Sequence, residues 1–309
     1  NTTASNNTAI GQDALKQNTT GTQNIAVGTY ALDANTTANS NVAMGYNTLG
    51  ANTTGDQQTA VGTYALKSNT TGVQNSAFGS TALYSNTTAD NNTAVGFQSL
   101  YANTTGTDNV AVGSQALDGN TTASQNVAIG KNALGGSNTG SFNTAVGHEA
   151  LISNTTGNPN TAIGANALDA NTTGGSNTAV GKDALGVNIT GGSNTAVGRG
   201  SLQANLGNSN TGLGAYALQT NTTGQYNVAV GQQALDQSTT ADHNTAVGYY
   251  ALQANTTGYE SVAMGSNAAK DNTTGRQNVA IGYNAIQTNT TGKENVIIGQ
   301  NAGYSNSDA

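Results

Sequence analysis

The chain of 309 residues contains no cysteine and no tryptophan, a single proline, and only 7% charged residues. The absence of cysteine excludes disulfides, thiolate catalysis and cysteine-ligated zinc or iron–sulfur sites. An ordinary globular domain carries about 25% charged residues, so this composition is atypical of an enzyme. No apolar run approaches the roughly 18 residues of a membrane span, and we expect no membrane insertion of this segment.

The few charges are mostly negative. Asp and Glu number 15 against 8 Lys and Arg, which gives a net charge of −7. A negative surface opposes contact with a phosphate backbone, so we expect no nucleic-acid partner. The net charge is nevertheless small for the length, unlike that of a typical disordered chain. A polar, weakly charged and folded chain is the expectation.

What the sequence has in abundance is a repeat based on Asn-Thr-Thr-Gly with a period of 17 residues. Eighteen copies cover the chain; seventeen have 17 residues, the copy at 205–220 has 16, and a stub remains at 306–309. The consensus is N-T-T-G-x-x-N-[TV]-A-V-G-x-x-A-L-x-x, and we number its positions one to seventeen. We predict a single repeat domain over 1–309. Because both ends fall inside the repeat, we expect the chain to be a fragment of a longer protein.

Four positions of the repeat predict structural ladders. Position eleven is Gly in every copy, which indicates a positive φ or the close approach of another backbone. Position ten is always apolar and position fifteen is usually Leu, so we expect both to face the interior. Position seven is usually Asn and predicts a column of side-chain hydrogen bonds. Representative ladder residues are Gly11, Gly28, Gly62, Val27, Val61, Leu32, Leu66, Asn24 and Asn75.

The repeat predicts an all-β chain. Seventeen residues are too few for two packed helices, so we expect two short strands per repeat, at about positions seven to eleven and thirteen to sixteen. Asn-Thr-Thr-Gly would form the turn between coils. The resulting fold is a parallel β-solenoid or β-roll of about 18 coils. Coils stacked about 4.8 Å apart would make a rod of about 86 Å.

The Ala at position nine predicts lateral association. Side chains alternate across a strand, so if position ten faces the interior, position nine faces outward. A column of small Ala side chains on the outside implies that another backbone approaches it closely. We favour a homotrimer around an axis, although the sequence itself does not fix the number of chains. The interface candidates are Ala26, Ala60, Ala94 and Ala128.

Whole copies resemble a known family of repeats. Residues 69–85 (NTTGVQNSAFGSTALYS) and 272–288 (NTTGRQNVAIGYNAIQT) are similar to the NTTG…NTAIGYNAL repeats of bacterial and phage tail-fibre-like surface proteins. The N-[TV]-A-[VI]-G element also resembles the S-V-A-I-G repeat of trimeric autotransporter adhesin heads of the YadA type, whose repeat is shorter. The resemblance implies a homotrimeric extracellular fibre or adhesin shaft, located on a cell surface or in a virion tail fibre. It supplies no catalytic residues.

The sequence offers no constellation for catalysis, cofactors or metals. His148 and His243 lie in distant copies and cannot form a pair. His148 is followed by Glu149, and on a strand these neighbours would point to opposite faces. No column repeats a carboxylate as a calcium-binding β-roll would require. We therefore predict no enzyme activity and no catalytic, cofactor or metal site.

Three recurrent features carry other hypotheses. Thr columns at positions two and three could match an ice lattice, although hydroxyl bonds within a turn explain them equally well. Each Asn-Thr-Thr, as at Asn18, Asn52 and Asn103, is either a glycosylation sequon or a buried turn ladder. Exposed aromatics recur at positions twelve and thirteen, where a surface carbohydrate or another fibre could stack, without an unbroken stripe. The candidates for ligand stacking are Tyr249 and Tyr250.

The expected function is structural. The chain would be the shaft of an extracellular fibre that holds a binding tip away from a cell or virion surface, and could itself be adhesive. One alternative is an ice-binding, Thr-rich β-solenoid. Another is a subunit of a homopolymeric surface filament.

Overall fold

The computed structural model describes residues 3–304, which divide after Thr156 into two compact units, 3–156 and 157–304. Each coil contributes one three-residue strand, at positions eight to ten of the repeat. The strands of the first unit are β1 (Thr8–Ile10), β2 (Ile25–Val27), β3 (Val42–Met44), β4 (Thr59–Val61), β5 (Ser76–Phe78), β6 (Thr93–Val95), β7 (Val110–Val112), β8 (Val127–Ile129) and β9 (Thr144–Val146). Those of the second unit are β10 (Thr161–Ile163), β11 (Thr178–Val180), β12 (Thr195–Val197), β13 (Thr211–Leu213), β14 (Val228–Val230), β15 (Thr245–Val247), β16 (Val262–Met264), β17 (Val279–Ile281) and β18 (Val296–Ile298).

Consecutive strands within each unit pair in parallel, with equivalent positions of the repeat opposite one another. Ala26 pairs with Ala43, and Ala43 with Ala60. The short copy keeps this register, because Thr195 pairs with Thr211 although only 16 residues separate them. The short copy is one residue shorter in its turn, and its strand is unchanged. Each unit is thus an all-β parallel solenoid with one coil per repeat, as the sequence predicted.

Positions thirteen to sixteen form a turn, so the predicted second strand was wrong. In the second coil Tyr30 has φ +60° and Leu32 has φ +51°, both in the left-handed region that strands do not adopt. A left-handed L-residue costs roughly 1–2 kcal/mol. Hydrogen bonds between coils offset this cost: Tyr30 N–H donates to the Gln12 carbonyl at 2.9 Å and Leu32 N–H to the Thr48 carbonyl at 3.1 Å. Stacking therefore selects a turn that local preference disfavours.

The glycine at position eleven is required by both conformation and space, as predicted. Gly11, Gly28 and Gly62 have φ of +128°, +135° and +133°. A Cβ on Gly62 would lie 2.5 Å from the carbonyl oxygen of Gly79 in the next coil. Any side chain at this position would push two coils apart.

The interior of each coil is built from Ala and Leu. Leu32 and Leu66 are completely buried, which confirms the predicted Leu ladder. Val27 and Val61 form the predicted ladder through Met44, but this ladder lies on the outer side of the strand. The interior is too narrow for a second large side chain, and the small Ala at position nine leaves room for Leu. The expectation that position ten faces inward was therefore wrong.

In the last described coil a larger residue at position nine accompanies a smaller residue at position fifteen. There Ile297 replaces the Ala of position nine, and Gly303 replaces the Leu of position fifteen. The Ile297 side chain lies 3.3 Å from the point where a Cβ of Gly303 would be. Positions nine and fifteen thus share one space inside the coil.

Two columns of Asn also run through the interior. At position one, Asn35 Nδ2 donates to Asn18 Oδ1 at 2.8 Å and to the Ala38 carbonyl at 3.2 Å. At position seven, the Asn41 backbone N–H donates to Asn24 Oδ1 at 3.0 Å. These amides satisfy the backbone groups of the turns, which hydrogen bonds between strands cannot reach.

Candidate interaction surfaces

The outer side of each sheet carries no charge and has one wholly apolar column beside one of mixed hydroxyl and aliphatic side chains. The first and third residues of β1–β9 form one such surface and those of β10–β18 another; we call each a strand face. Thr, Ser, Val or Ile occupies position eight and Val, Ile, Leu, Met or Phe occupies position ten. Large side chains at position ten remain well exposed, for example Phe78 at 41% and Ile129 at 40%. An exposed apolar column that recurs in every coil makes this face a candidate interaction surface.

The Ala residues assigned to an oligomer interface lie elsewhere. Ala26, Ala60, Ala94 and Ala128 are all 0% exposed within a single chain. Their own chain covers them completely, so another chain cannot contact them. The assignment was wrong because it followed from the inverted orientation of the strand. The outward column is position ten.

The sequon asparagines are interior residues. Asn52 and Asn103 are 0% exposed and Asn18 is 3% exposed. Asn103 Nδ2 donates to Asn86 Oδ1 at 3.0 Å and to the Gly106 carbonyl at 2.9 Å. The amide nitrogen that would carry a glycan is therefore used inside the fold. The structure supports the ladder interpretation and is incompatible with glycans on these folded coils.

The two Thr columns differ in their contacts. At position two, Thr70 Oγ1 donates to the Thr87 carbonyl at 3.0 Å, and Thr53 Oγ1 to the Thr70 carbonyl at 3.1 Å. At position three the side chains, such as Thr71 and Thr88, are exposed. The position-two hydroxyls thus serve as turn donors, and position three alone presents a regular Thr column to solvent.

Aromatic residues form an unbroken stripe in the first unit, which the sequence did not predict. Ring centroids are 6.0, 5.3, 6.3 and 5.2 Å apart in succession. Lys67 Nζ lies 5.0 Å and 5.4 Å from the centroids of the third and fourth rings. We call this set the tyrosine stripe, and its members are Tyr30, Tyr46, Tyr64, Tyr84 and Tyr101.

The two tyrosines that the sequence suggests for stacking on a ligand lie in the second unit. Tyr249 and Tyr250 have ring centroids 3.9 Å apart and planes tilted by 47°. Lys270 Nζ lies 5.0 Å from the Tyr250 ring centroid. The structure thus brings the two phenols together, with Tyr249 45% exposed. The side-chain hydrogen bond with Tyr250 raises the pKa of the Tyr249 phenol.

A notch of about 360 Å³ opens on the turn side of the first unit. It arises where Gly135 and Gly136 supply no side chain at positions sixteen and seventeen. Burial raises the pKa of the Asp118 carboxyl, against the opposing effect of backbone hydrogen bonds from Asp118 and Gly119. The notch is lined by Gln115, Asp118, Asn132, Gly135, Gly136 and Ile152.

His148 belongs to the first unit and His243 to the second, and their contacts differ from those of a strand arrangement. His148 Nε2 lies 3.6 Å from Glu149 Oε1, because both residues belong to a turn. The expectation that they point to opposite faces was wrong. His243 stacks on Tyr226 with centroids 4.9 Å apart. Across residues 3–304, no three His, Cys, Asp or Glu side chains are grouped so as to hold a metal ion.

None of the described residues belongs to a helix that could span a lipid bilayer. No protein-family model matches the chain, and no curated protein matches it in sequence.

Proposed function

We propose that the chain is the shaft of a homotrimeric extracellular fibre, in which copies pack through their strand faces. The observation that carries this proposal is the exposed, uncharged apolar column at position ten. Val95 and Met264 show it in the two units, with 38% and 44% of each residue exposed. Covering such a column removes apolar surface from water, at roughly 25 cal/mol per Å².

The repeat itself favours a second copy of this chain as the partner. Position ten recurs once per coil, so its side chains are spaced by the separation of parallel strands, about 4.8 Å. A partner that contacts every coil must have the same axial spacing. Another copy of the same solenoid has it, and two uncharged faces meet without burying an unpaired charge.

Three chains is the number implied by the resemblance to trimeric surface fibres. In a closed ring of three, each copy contacts both neighbours and no strand face remains open. Repeated coils give such an assembly a length set by the number of copies and a stability that is shared between neighbouring coils. These properties suit a spacer that holds a binding tip away from a cell or virion surface.

Single cysteines test the proposed contact, because the natural chain has none. In the Val95→Cys variant, thiols of neighbouring copies lie near the axis, so mild oxidation should give a disulfide-linked pair of chains. Thr88→Cys is the matched control, since this exposed residue of the same coil lies outside the strand face. Cross-linking of Val95→Cys but not of Thr88→Cys at micromolar protein supports the proposal. Equal cross-linking of both variants, or of neither, contradicts it.

A further inference from the structure

The tyrosine stripe leads directly to the notch. Column sixteen of the repeat contains Tyr84, Tyr101, Asp118 and Gly135 in successive coils. Backbone hydrogen bonds join these coils, with Ser85 N–H donating to the Tyr101 carbonyl and Ala102 N–H to the Asp118 carbonyl, both at 3.0 Å. The aromatic surface and the polar notch are therefore consecutive parts of one face.

The end of the stripe presents an aromatic surface toward the notch. Tyr84 stacks on Tyr101 with centroids 5.2 Å apart and planes within 16°. Because the coils follow in the order 84, 101 and 118, the second face of the Tyr101 ring is on the Asp118 side. An aromatic face of this kind binds the C–H side of a flat, partly apolar ligand.

The notch supplies polar groups suited to hydroxyls. Gln115 and Asn132 carry amides that both donate and accept, and Asp118 carries a carboxyl group. All three are half-buried, so their side chains remain accessible to a ligand. Glycine keeps the space open: a Cβ on Gly135 would lie 3.1 Å from Asp118 Oδ1. The combination of an aromatic platform with a few convergent polar groups is typical of a small-molecule site.

We propose that the tyrosine stripe and the notch together bind an extended, uncharged oligosaccharide of hexose units. A sugar ring offers an apolar C–H face for Tyr101 and equatorial hydroxyls for Gln115, Asp118 and Asn132. An extended chain of such rings can follow the stripe from coil to coil. Asp118 and the net charge of −7 disfavour an anionic sugar.

The site is built for binding without hydrolysis. Glycoside hydrolysis ordinarily requires two carboxyl groups flanking the scissile bond. Asp118 is the one carboxylate that lines the notch. The stripe and the notch use positions twelve, thirteen, sixteen and seventeen, whereas the strand face uses positions eight and ten. Oligosaccharide binding is therefore independent of whether the strand faces associate.

The test is calorimetric titration of the full chain with three oligosaccharides of equal length. These are β-1,4-linked glucose, β-1,4-linked N-acetylglucosamine and, as the anionic counterpart, a uronic acid oligomer. We expect at least one neutral oligomer to bind and the uronic acid oligomer to bind about tenfold more weakly or not at all. Failure of both neutral oligomers at millimolar concentration, or equal binding of the anionic one, would overturn the proposal.

Oligosaccharide affinities of single-residue variants test where on the chain the oligosaccharide binds. Tyr101→Ala removes the platform and Gly135→Gln fills the notch, and each should weaken binding about tenfold or more. Asp118→Asn keeps the volume of the side chain and should weaken binding several-fold, which preserves the test if Gly135→Gln does not fold. Tyr283→Ala is the matched control, because it removes an exposed Tyr outside the stripe and should leave affinity unchanged. Loss of affinity in Tyr283→Ala, or full affinity in folded Tyr101→Ala, would overturn the assignment.

Discussion

The amide nitrogen of Asn69 donates to the amide oxygen of Asn52 across 2.9 Å, and this contact links two coils through their interior. Asn86 repeats the contact to Asn69, also at 2.9 Å. The column is interrupted where Ser238 replaces Asn in the second unit. There Asn221 Oδ1 and Ser238 Oγ are buried without a hydrogen-bond partner. An unpaired buried polar atom costs roughly 1–3 kcal/mol, so this coil is a weak point.

Ser238→Asn should repair the column. The new amide can donate to Asn221 Oδ1 and accept from Asn255, and we expect the free energy of unfolding to rise by about 1 kcal/mol. Asn69→Ser makes the reverse change in an intact column and should lower it by about 1–3 kcal/mol. Urea unfolding followed by circular dichroism measures both. A loss of stability in Ser238→Asn would contradict the role assigned to the column.

Two glycines with nearly the same φ can separate two effects on stability: the strain of a positive φ and the collision of a side chain with the next coil. Gly62 has φ +133° and faces the Gly79 carbonyl, whereas Gly299 has φ +132° and would place a Cβ 3.6 Å from the Ala302 Cβ. We expect Gly62→Ala to be the more destabilising substitution, because it adds a collision between coils to the shared strain of roughly 1–3 kcal/mol. Thermal unfolding of the two variants checks this. Equal losses would mean that the close approach of coils contributes nothing.

Acidification should stabilise the chain over a defined range of pH. Burial raises the pKa of Asp33, Asp118 and Asp236 above the ordinary value of 3.8. The folded chain therefore binds these protons more tightly than the unfolded chain, and stability rises as pH falls through the raised values, until it levels off below 3.8. We expect a higher midpoint of thermal unfolding at about pH 4 than at about pH 7.

A variant with Asn at all three positions controls for other titrating groups. Its unfolding midpoint should depend less on pH than that of the natural chain and should be higher at neutral pH, where the natural chain keeps these carboxylates charged and partly buried. A natural chain that is less stable at about pH 4 than at about pH 7 would contradict the expected sign.

The repeat predicted the coils, their parallel stacking and the Gly, Leu and Asn ladders, because each of these follows from strict identity at one position. It did not predict which side of the strand faces inward. Ala94 and Val95 are neighbours on opposite sides, and hydrophobicity alone assigned the larger side chain to the core. The interior volume determines which of the two faces inward: Leu100 of the same coil already fills that volume, so the smaller Ala94 faces inward.

The tyrosine stripe escaped prediction for a different reason. Tyr64 is at position thirteen and Tyr84 at position sixteen of successive copies, so an alignment of the repeats separates them into different columns. In the structure the left-handed turn brings these two columns together, with ring centroids 6.3 Å apart. Had positions thirteen to sixteen formed a strand, as predicted, the two rings would lie roughly 10 Å apart along it. The conformation of the turn was the missing information.

Association of copies of this chain through their strand faces sets the mass of the particle in solution, which light scattering measures. We expect the full chain to have the mass of three chains of 30.7 kDa. A variant with Val95→Lys and Val112→Lys places charges on the strand face and should have the mass of one folded chain. A single-chain mass for the unmodified protein, or an unchanged mass for the folded double variant, would contradict association through the strand faces.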